Sequence, residues 1–311
     1  MEKAKNNYPE VGIVVLNWNN EKDTIECLES LKRVSYSNFY VVLVDNNSSD
    51  GSRESLERYS KELGAFKCIF IRNSENKGFA GGNNTGIDYV VKNGSDYVLV
   101  LNNDTYVDPL FIDGLVREAE KNKKAAIVGS AIYFYNKPRI LWFGGDSNIS
   151  WHKMDKAISN SLLEKELPES IDSASVKFIT GACMLLRSEA LKELKGFDER
   201  FFLYFEDADL SFRAIERGWD LRWTPFSKIL HKVSATTLPQ AGSARMNYYN
   251  TRNILLLAKE HGPWWMMFYR HMWAFYTLAK QCVKIIIGRN REVSRHIAKG
   301  VLDYYRKNFG M

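Results

Sequence analysis

A chain of 311 residues that is 45% hydrophobic and 26% charged can bury a deep core and a substrate cleft, and its modest glycine and proline content excludes collagen-like, repeat and disordered architectures. Cys27, Cys68, Cys183 and Cys282 are scattered without a CxxC pair, which suggests neither a zinc cluster nor a disulfide framework and leaves reduced, buried thiols as the expectation. Charge is uneven: from Leu238 onward twelve Lys or Arg face three acids, a net of +9, so with +6 for the whole chain the first 237 residues carry −3. Such a basic tail wants an anionic partner.

The opening MEKAKNNYPE runs into an apolar stretch too short for a signal peptide or a membrane span, so a cytoplasmic location is expected. Along the first hundred residues, VGIVVL, FYVVLV, CIFI and YVLVL alternate with amphipathic stretches such as DTIECLESLKRV, GSRESLERYSKEL and GIDYVVKN. Apolar runs separated by helical patterns predict strands of a parallel sheet covered by helices. Asp23 with Glu26 reads as a capping box, and Asp108 before Pro109 as a helix start. In such sheets ligands sit outside the carboxyl ends of the strands. There the chain places Asn17 to Asn20, Asp45 to Ser49, the glycine-rich loop Asn76 to Asn84, and Asn102 to Asp104, four polar strand ends that predict one crevice.

From Gly144 to Lys177 periodicity dissolves into what reads as a long functional loop or flap. FITGACMLLRSEAL predicts a strand and a helix from about Ser188, followed by an aromatic loop entering an acidic helix start in GFDERFFLYFEDADLSFRAIERGW. Beyond Leu238 the pattern is helical. Between Trp264 and Ile287 the polar residues Arg270, Thr277, Lys280, Gln281 and Lys284 form a narrow stripe on an otherwise apolar helix, which predicts a helix lying in a membrane interface rather than crossing it.

Asp104, a carboxylate at a strand end over the crevice, is a candidate ligand for a divalent cation shared with diphosphate oxygens. In order along the chain, VVLNWNN, VDNNSSDGS, NKGFAGGNNTG, LNNDTYVDP, GACMLLR, the FEDAD segment and His231 resemble the family 2 glycosyltransferases, most closely rhamnosyltransferase-like members acting on lipid-linked glycans. The resemblance spans about Val11 to Thr237, with YYNTRN near Tyr248. It implies a GT-A fold, a mixed α/β nucleotide-binding sheet with helices on both faces, over residues 1–237. Residues 1–104 would then form the nucleotide half and 105–237 the acceptor half, with 238–311 a basic helical extension.

Carried over by position, the resemblance implies that Asn17, Asn19, Asp45, Asn76, Gly78, Asn83, Asn102, Asn103 and Asp104 bind the nucleotide. Asp104 and His231 would hold Mg²⁺ or Mn²⁺, with Asn102 standing where the family has a first acid. Asp45 favours a pyrimidine, which gives dTDP-rhamnose or a UDP-sugar as donor. Asp207 is the family's base for inversion, and Glu206 and Trp142 would contact the acceptor, a glycan or a polyprenyl-diphosphate-linked one. Arg245, Tyr249 and Arg252 either grip a diphosphate or belong to a helix packed back on the domain.

The tail's apolar face suits an anionic membrane surface, which would make the chain peripheral on the inner face of the cytoplasmic membrane, or else a second subunit in a homodimer. Its grouped aromatics argue against nucleic acid. Two other readings compete. A sugar nucleotidyltransferase would want a basic, glycine-rich loop after the first strand, where this chain has Asn17-Trp18-Asn19-Asn20; a non-catalytic nucleotide-sugar or lipid-binding module would not need Asp104, Asp207 and His231 together.

Overall fold

The computed structural model describes residues 8–145, 147–156, 158–160, 164–167, 170–233 and 243–310. The nucleotide half folds in the predicted alternation: β1 (Val11–Asn17), α1 (Glu21–Leu31), β2 (Phe39–Asp45), α2 (Ser52–Glu62), β3 (Cys68–Arg72), α3 (Gly78–Lys92) and β4 (Tyr97–Asn102). There follow β5 (Thr105–Val107), α4 (Phe111–Lys121), β6 (Ala125–Phe134), β7 (Lys137–Phe143), β8 (Ser147–Ile149), β9 (Ile158–Asn160), β10 (Ala174–Ser175) and β11 (Cys183–Arg187). The chain continues through α5 (Ser188–Leu194), α6 (Glu206–Glu216), β12 (Asp220–His231), α7 (Ala244–His261), α8 (Met266–Ile286) and α9 (Arg291–Arg306).

One sheet carries the body, ordered β10-β12-β6-β11-β4-β1-β2-β3, with β5 on β12 and β7 on β6. Strands β3, β2, β1 and β4 are parallel, whereas β11 runs antiparallel between β4 and β6 and makes the sheet mixed. Val, Ile and Leu fill β1, β2 and β4 because both faces are buried, which is why these strands read as unbroken apolar runs. Register sets Asn17 opposite Asp45 and Leu16 opposite Asn102, so the polar ends of three strands share one edge.

Three local expectations change. The glycine-rich segment is no loop; from Gly78 onward it forms the first turns of α3. An added Cβ would meet Leu16 at Gly82 (2.7 Å) and Val14 at Gly86 (2.4 Å), so these glycines let the helix lie close on β1. Asp23 and Glu26 cap nothing; they clamp Lys232 at the end of β12, each carboxylate 2.5 Å from its Nζ. Asp108 does not cap a helix either: its Oδ1 accepts from Leu110 N (3.0 Å) in a turn that precedes α4.

Part of the expected Gly144 to Lys177 flap is regular, with β8 paired to β9 and a 3₁₀ turn at Trp151–Lys156. The expected boundary at 237/238 falls in 234–242, outside the described residues. A second core joins Phe201 and Phe212 of the body to Ile254, Leu256, Met266 and Val301 of the C-terminal helices. Cys27 and Cys183 are buried and their thiols are pushed up to about 12 by burial, whereas Cys282 is exposed, contrary to the expectation of buried thiols throughout.

Candidate active site

The strand ends open into a cleft of about 380 Å³. Its polar wall includes Asn76, Asn83, Asn102, Asn103, Asp104, Glu206, Asp207, His231 and Arg245, and Trp142, Phe79 and Phe202 supply apolar surface. Asp104 and Asp207, far apart in the chain, therefore share one cavity.

Asp104 is placed by pairing of β5 with β12, which sets Thr105 opposite His231, while Lys232 N donates to Asp104 O (3.0 Å). His231 Nε2 lies 3.0 Å from Asp104 Oδ1, with both groups buried. That contact lacks the angles of a hydrogen bond, and both ring nitrogens of His231 are without a hydrogen-bonding partner. Two orphaned ring nitrogens beside a carboxylate on a cleft wall are a donor set suited to a divalent cation. No cluster of three or more such ligands exists among the described residues, so substrate oxygens or water must complete any coordination shell.

Asp207 opens α6. Its Oδ2 accepts from Gly181 N (2.9 Å), its Oδ1 from Ala208 N (2.8 Å), and Thr180 adds a side-chain hydrogen bond. Burial pushes this carboxyl up, and these donors pull back. Glu206 is buried with Oε2 unpartnered; burial first, and then the charge of Asp207, push it well up. Glu206 is thus pushed further above the ordinary carboxylate range than Asp207, because amide N–H groups face Asp207 and oppose the effect of burial there.

A folded pair that holds a proton the unfolded chain would release loses stability as pH rises from the ordinary carboxylate range through its raised pKa. Glu206→Gln removes that penalty. Calorimetric Tm should exceed wild type by a margin that widens from pH 5 to pH 8, and equal pH slopes in the two proteins would contradict the assignment.

Before α6 the chain takes a strained path: Phe202, Tyr204 and Phe205 all have positive φ (62°, 69° and 72°). Two residues of α7 hold it there. Arg252, fully buried, donates to the carbonyls of Arg200 (3.1 Å), Phe201 (2.9 Å) and Gly310 (2.7 Å), and Asn253 Nδ2 reaches those of Phe201, Leu203 and Tyr204 (2.8 Å each). Phe202 O in turn accepts from Phe79 N (2.7 Å), so the loop is tied to the start of α3. Gly78 sits there at φ 70°, where a Cβ would come within 2.3 Å of Phe202 O.

Several expected site residues stand elsewhere. Arg252 has the loop-holding task just described, with its guanidinium closed off from the cleft, so the expected diphosphate grip does not fit it. Tyr249 is buried and stacks on Phe202 (centroids 5.4 Å) behind the cleft wall. Asn17 and Asp45 are fully buried and bonded to each other (3.1 Å); Asp45 also accepts from Ser48 N (3.0 Å) and Arg53 Nε (3.1 Å), so they brace the strand ends from beneath. Asn19, at φ 51°, accepts from Ser49 N (2.8 Å) and ties the β1 and β2 loops together. Arg245 alone of its trio lines the cleft, over Trp18 with its guanidinium 5.6 Å from the ring centroid.

Sequence reasoning passed over Asn46, Thr180 and Gly181. Asn46 donates to Asn76 Oδ1 (3.0 Å) and Gly78 O (2.9 Å), holding the floor in shape. Gly181 belongs to GACMLLR, but its N–H aimed at Asp207 has no local signal.

A mixed sheet with polar strand ends, an Asp and His pair on one wall and a helix-start carboxylate facing the same cavity define a GT-A glycosyltransferase. The Glycosyl transferase family 2 profile matches residues 12–195, more than half of the chain, and the chain belongs to that family. Over 257 residues it is 26% identical to N-acetylglucosaminyl-diphospho-decaprenol L-rhamnosyltransferase of Mycobacterium tuberculosis, covering 76% of this chain and 80% of the relative. The dTDP-rhamnosyl transferase RfbF of Shigella flexneri is 23% identical over 258 residues, 80% of each chain. In structure the chain is similar to a mannosyltransferase from Pyrobaculum calidifontis solved with GDP-Man and Mn²⁺, with a TM-score of 0.61 and 14% identity over 97% of this chain and 88% of that one. At that identity the likeness speaks for the fold alone.

Proposed function

We propose that the chain transfers a sugar, with inversion, from a pyrimidine nucleotide diphosphate donor, dTDP-rhamnose or a UDP-sugar, to a hydroxyl of a lipid-linked or cell-surface glycan. The observation that carries this reading is the shared cavity with Asp104 and His231 on one wall and Asp207 on another. The two rhamnosyltransferase relatives favour a deoxyhexose donor, and the first of them favours a polyprenyl-diphosphate-linked acceptor.

Asp104 and His231 would hold Mg²⁺ or Mn²⁺, which supplies charge neutralisation for a departing diphosphate. Asn83 Oδ1, buried in the cleft wall without a partner, offers an acceptor to the donor nucleotide. Arg245 at the cleft presents a positive charge to phosphate. As the acceptor oxygen bonds to the anomeric carbon, its proton passes to Asp207 and the bond from that carbon to the diphosphate oxygen breaks. Glu206, which burial pushes toward its protonated form, would then donate a hydrogen bond to a second acceptor hydroxyl, and Trp142 would give that sugar an apolar face.

Thermal stabilisation across UDP-, dTDP- and GDP-sugars, each with and without Mn²⁺, tests the donor and the metal together. Asp104→Ala should weaken metal-dependent donor binding by about 100-fold or more. Unchanged metal dependence in that variant would refute the ligand assignment.

A further inference from the structure

Helix α8 is inverted with respect to water. Two residues of its polar stripe, Thr277 and Gln281, face the protein at 7% and 4% exposure, while Phe275 and Ile286 stand 76% and 77% exposed. Phe268, Met272, Phe275, Val283 and Ile286 recur at helical spacing along one outward face, and Trp264, 82% exposed, stands just ahead of it. Single exposed apolar residues mean little, but a continuous stripe of large ones marks a surface that is covered in use. Cations flank it: Lys280 lies over the Tyr276 ring at 5.8 Å, and Arg289 and Arg291 are exposed where the helix ends.

We propose that α8 lies in the plane of an anionic phospholipid membrane, its apolar stripe among the acyl chains and its flanking cations on the headgroups. Among the described residues no helix is long and apolar enough to cross a membrane, and Thr277 and Gln281 are taken up inside the protein, so only one face of α8 can meet lipid. Charge selects this occupant over a second copy. A two-fold interface on this face would bring Lys280, Arg289 and Arg291 toward the same cations of the second copy, whereas anionic headgroups attract each of them. Helix α7 packs on both α8 and α9 and carries Arg245 into the cleft, so docking sets the attitude of the active site to the bilayer. The consequence, an acceptor presented from the lipid surface, rests on the transferase reading; membrane binding itself does not.

The experiment mixes the full chain, without donor or metal, with phosphatidylglycerol/phosphatidylcholine vesicles or with phosphatidylcholine alone, and sediments them. Binding is expected to the anionic vesicles only. Phe268→Ser with Phe275→Ser should lower the partition coefficient at least about tenfold with Tm unchanged. A polarity-sensitive fluorophore on exposed Cys282 should shift to the blue when anionic vesicles are added. Absence of binding, equal binding by the double variant, or a solution dimer that the double variant dissociates would overturn the proposal. Nucleotide binding measured without vesicles reports on the transferase reading separately.

Discussion

Asp207→Asn lowers kcat by about 10² to 10⁴-fold while donor affinity stays within about threefold of wild type. The amide keeps the size of the carboxylate and one acceptor oxygen, so either Gly181 N or Ala208 N retains its partner and the start of α6 holds. Proton acceptance is what the variant loses. Titration calorimetry of the nucleotide with Mn²⁺, beside a transfer assay, separates the two effects. A variant that still turns over would place the base elsewhere. In the wild-type protein kcat should rise with pH along an acid limb above the ordinary carboxylate range, because burial has raised Asp207 and the base acts only when ionised.

Arg252→Met lowers the free energy of unfolding by about 3 kcal/mol or more. The methionine fills much of the volume, but the carbonyls of Arg200 and Gly310 lose the donor they have in Arg252, and Phe201 O keeps only Asn253. The contacts of the guanidinium with the rings of Tyr248, Tyr249 and Phe309, at 5.1 to 5.9 Å, go as well. Urea midpoints measure the loss. Activity should fall too, through the loop at 201–205 that aims Glu206 and Asp207, and it should fall in kcat. A residue gripping diphosphate would behave in the opposite way, with KM for the donor raised many-fold and an unchanged urea midpoint, and that outcome would restore Arg252 to the substrate.

The two variants bear on different kinds of residue. Asp104 stands just past a strand end beside a crevice whose place follows from sheet topology, so a strand-end rule applied to the sequence finds it, whereas Asp207, at a helix start, is reached through the family resemblance of the FEDAD segment. Arg252 sits in YYNTRN, where a basic and aromatic cluster fits either a phosphate grip or a packed helix. Only the path of Arg200 to Tyr204 chooses between these, because that loop brings two carbonyls, those of Arg200 and Phe201, to the guanidinium.

Composition and pattern by themselves determined the alternating α/β body, the polar strand ends, the aromatic loop before an acidic helix start, and the basic helical tail. Each of these is written within a few consecutive residues, as an apolar period or a turn residue, and local chemistry is enough to read it. What tertiary structure alone decided are pairings between distant segments: Gly181 N aimed at Asp207, Asp23 and Glu26 clamping Lys232 rather than capping α1, and Arg252 and Asn253 holding the carbonyls of the loop before α6. A hydrogen-bonding group is satisfied by whatever partner packing delivers to it, and packing is a property of the whole chain.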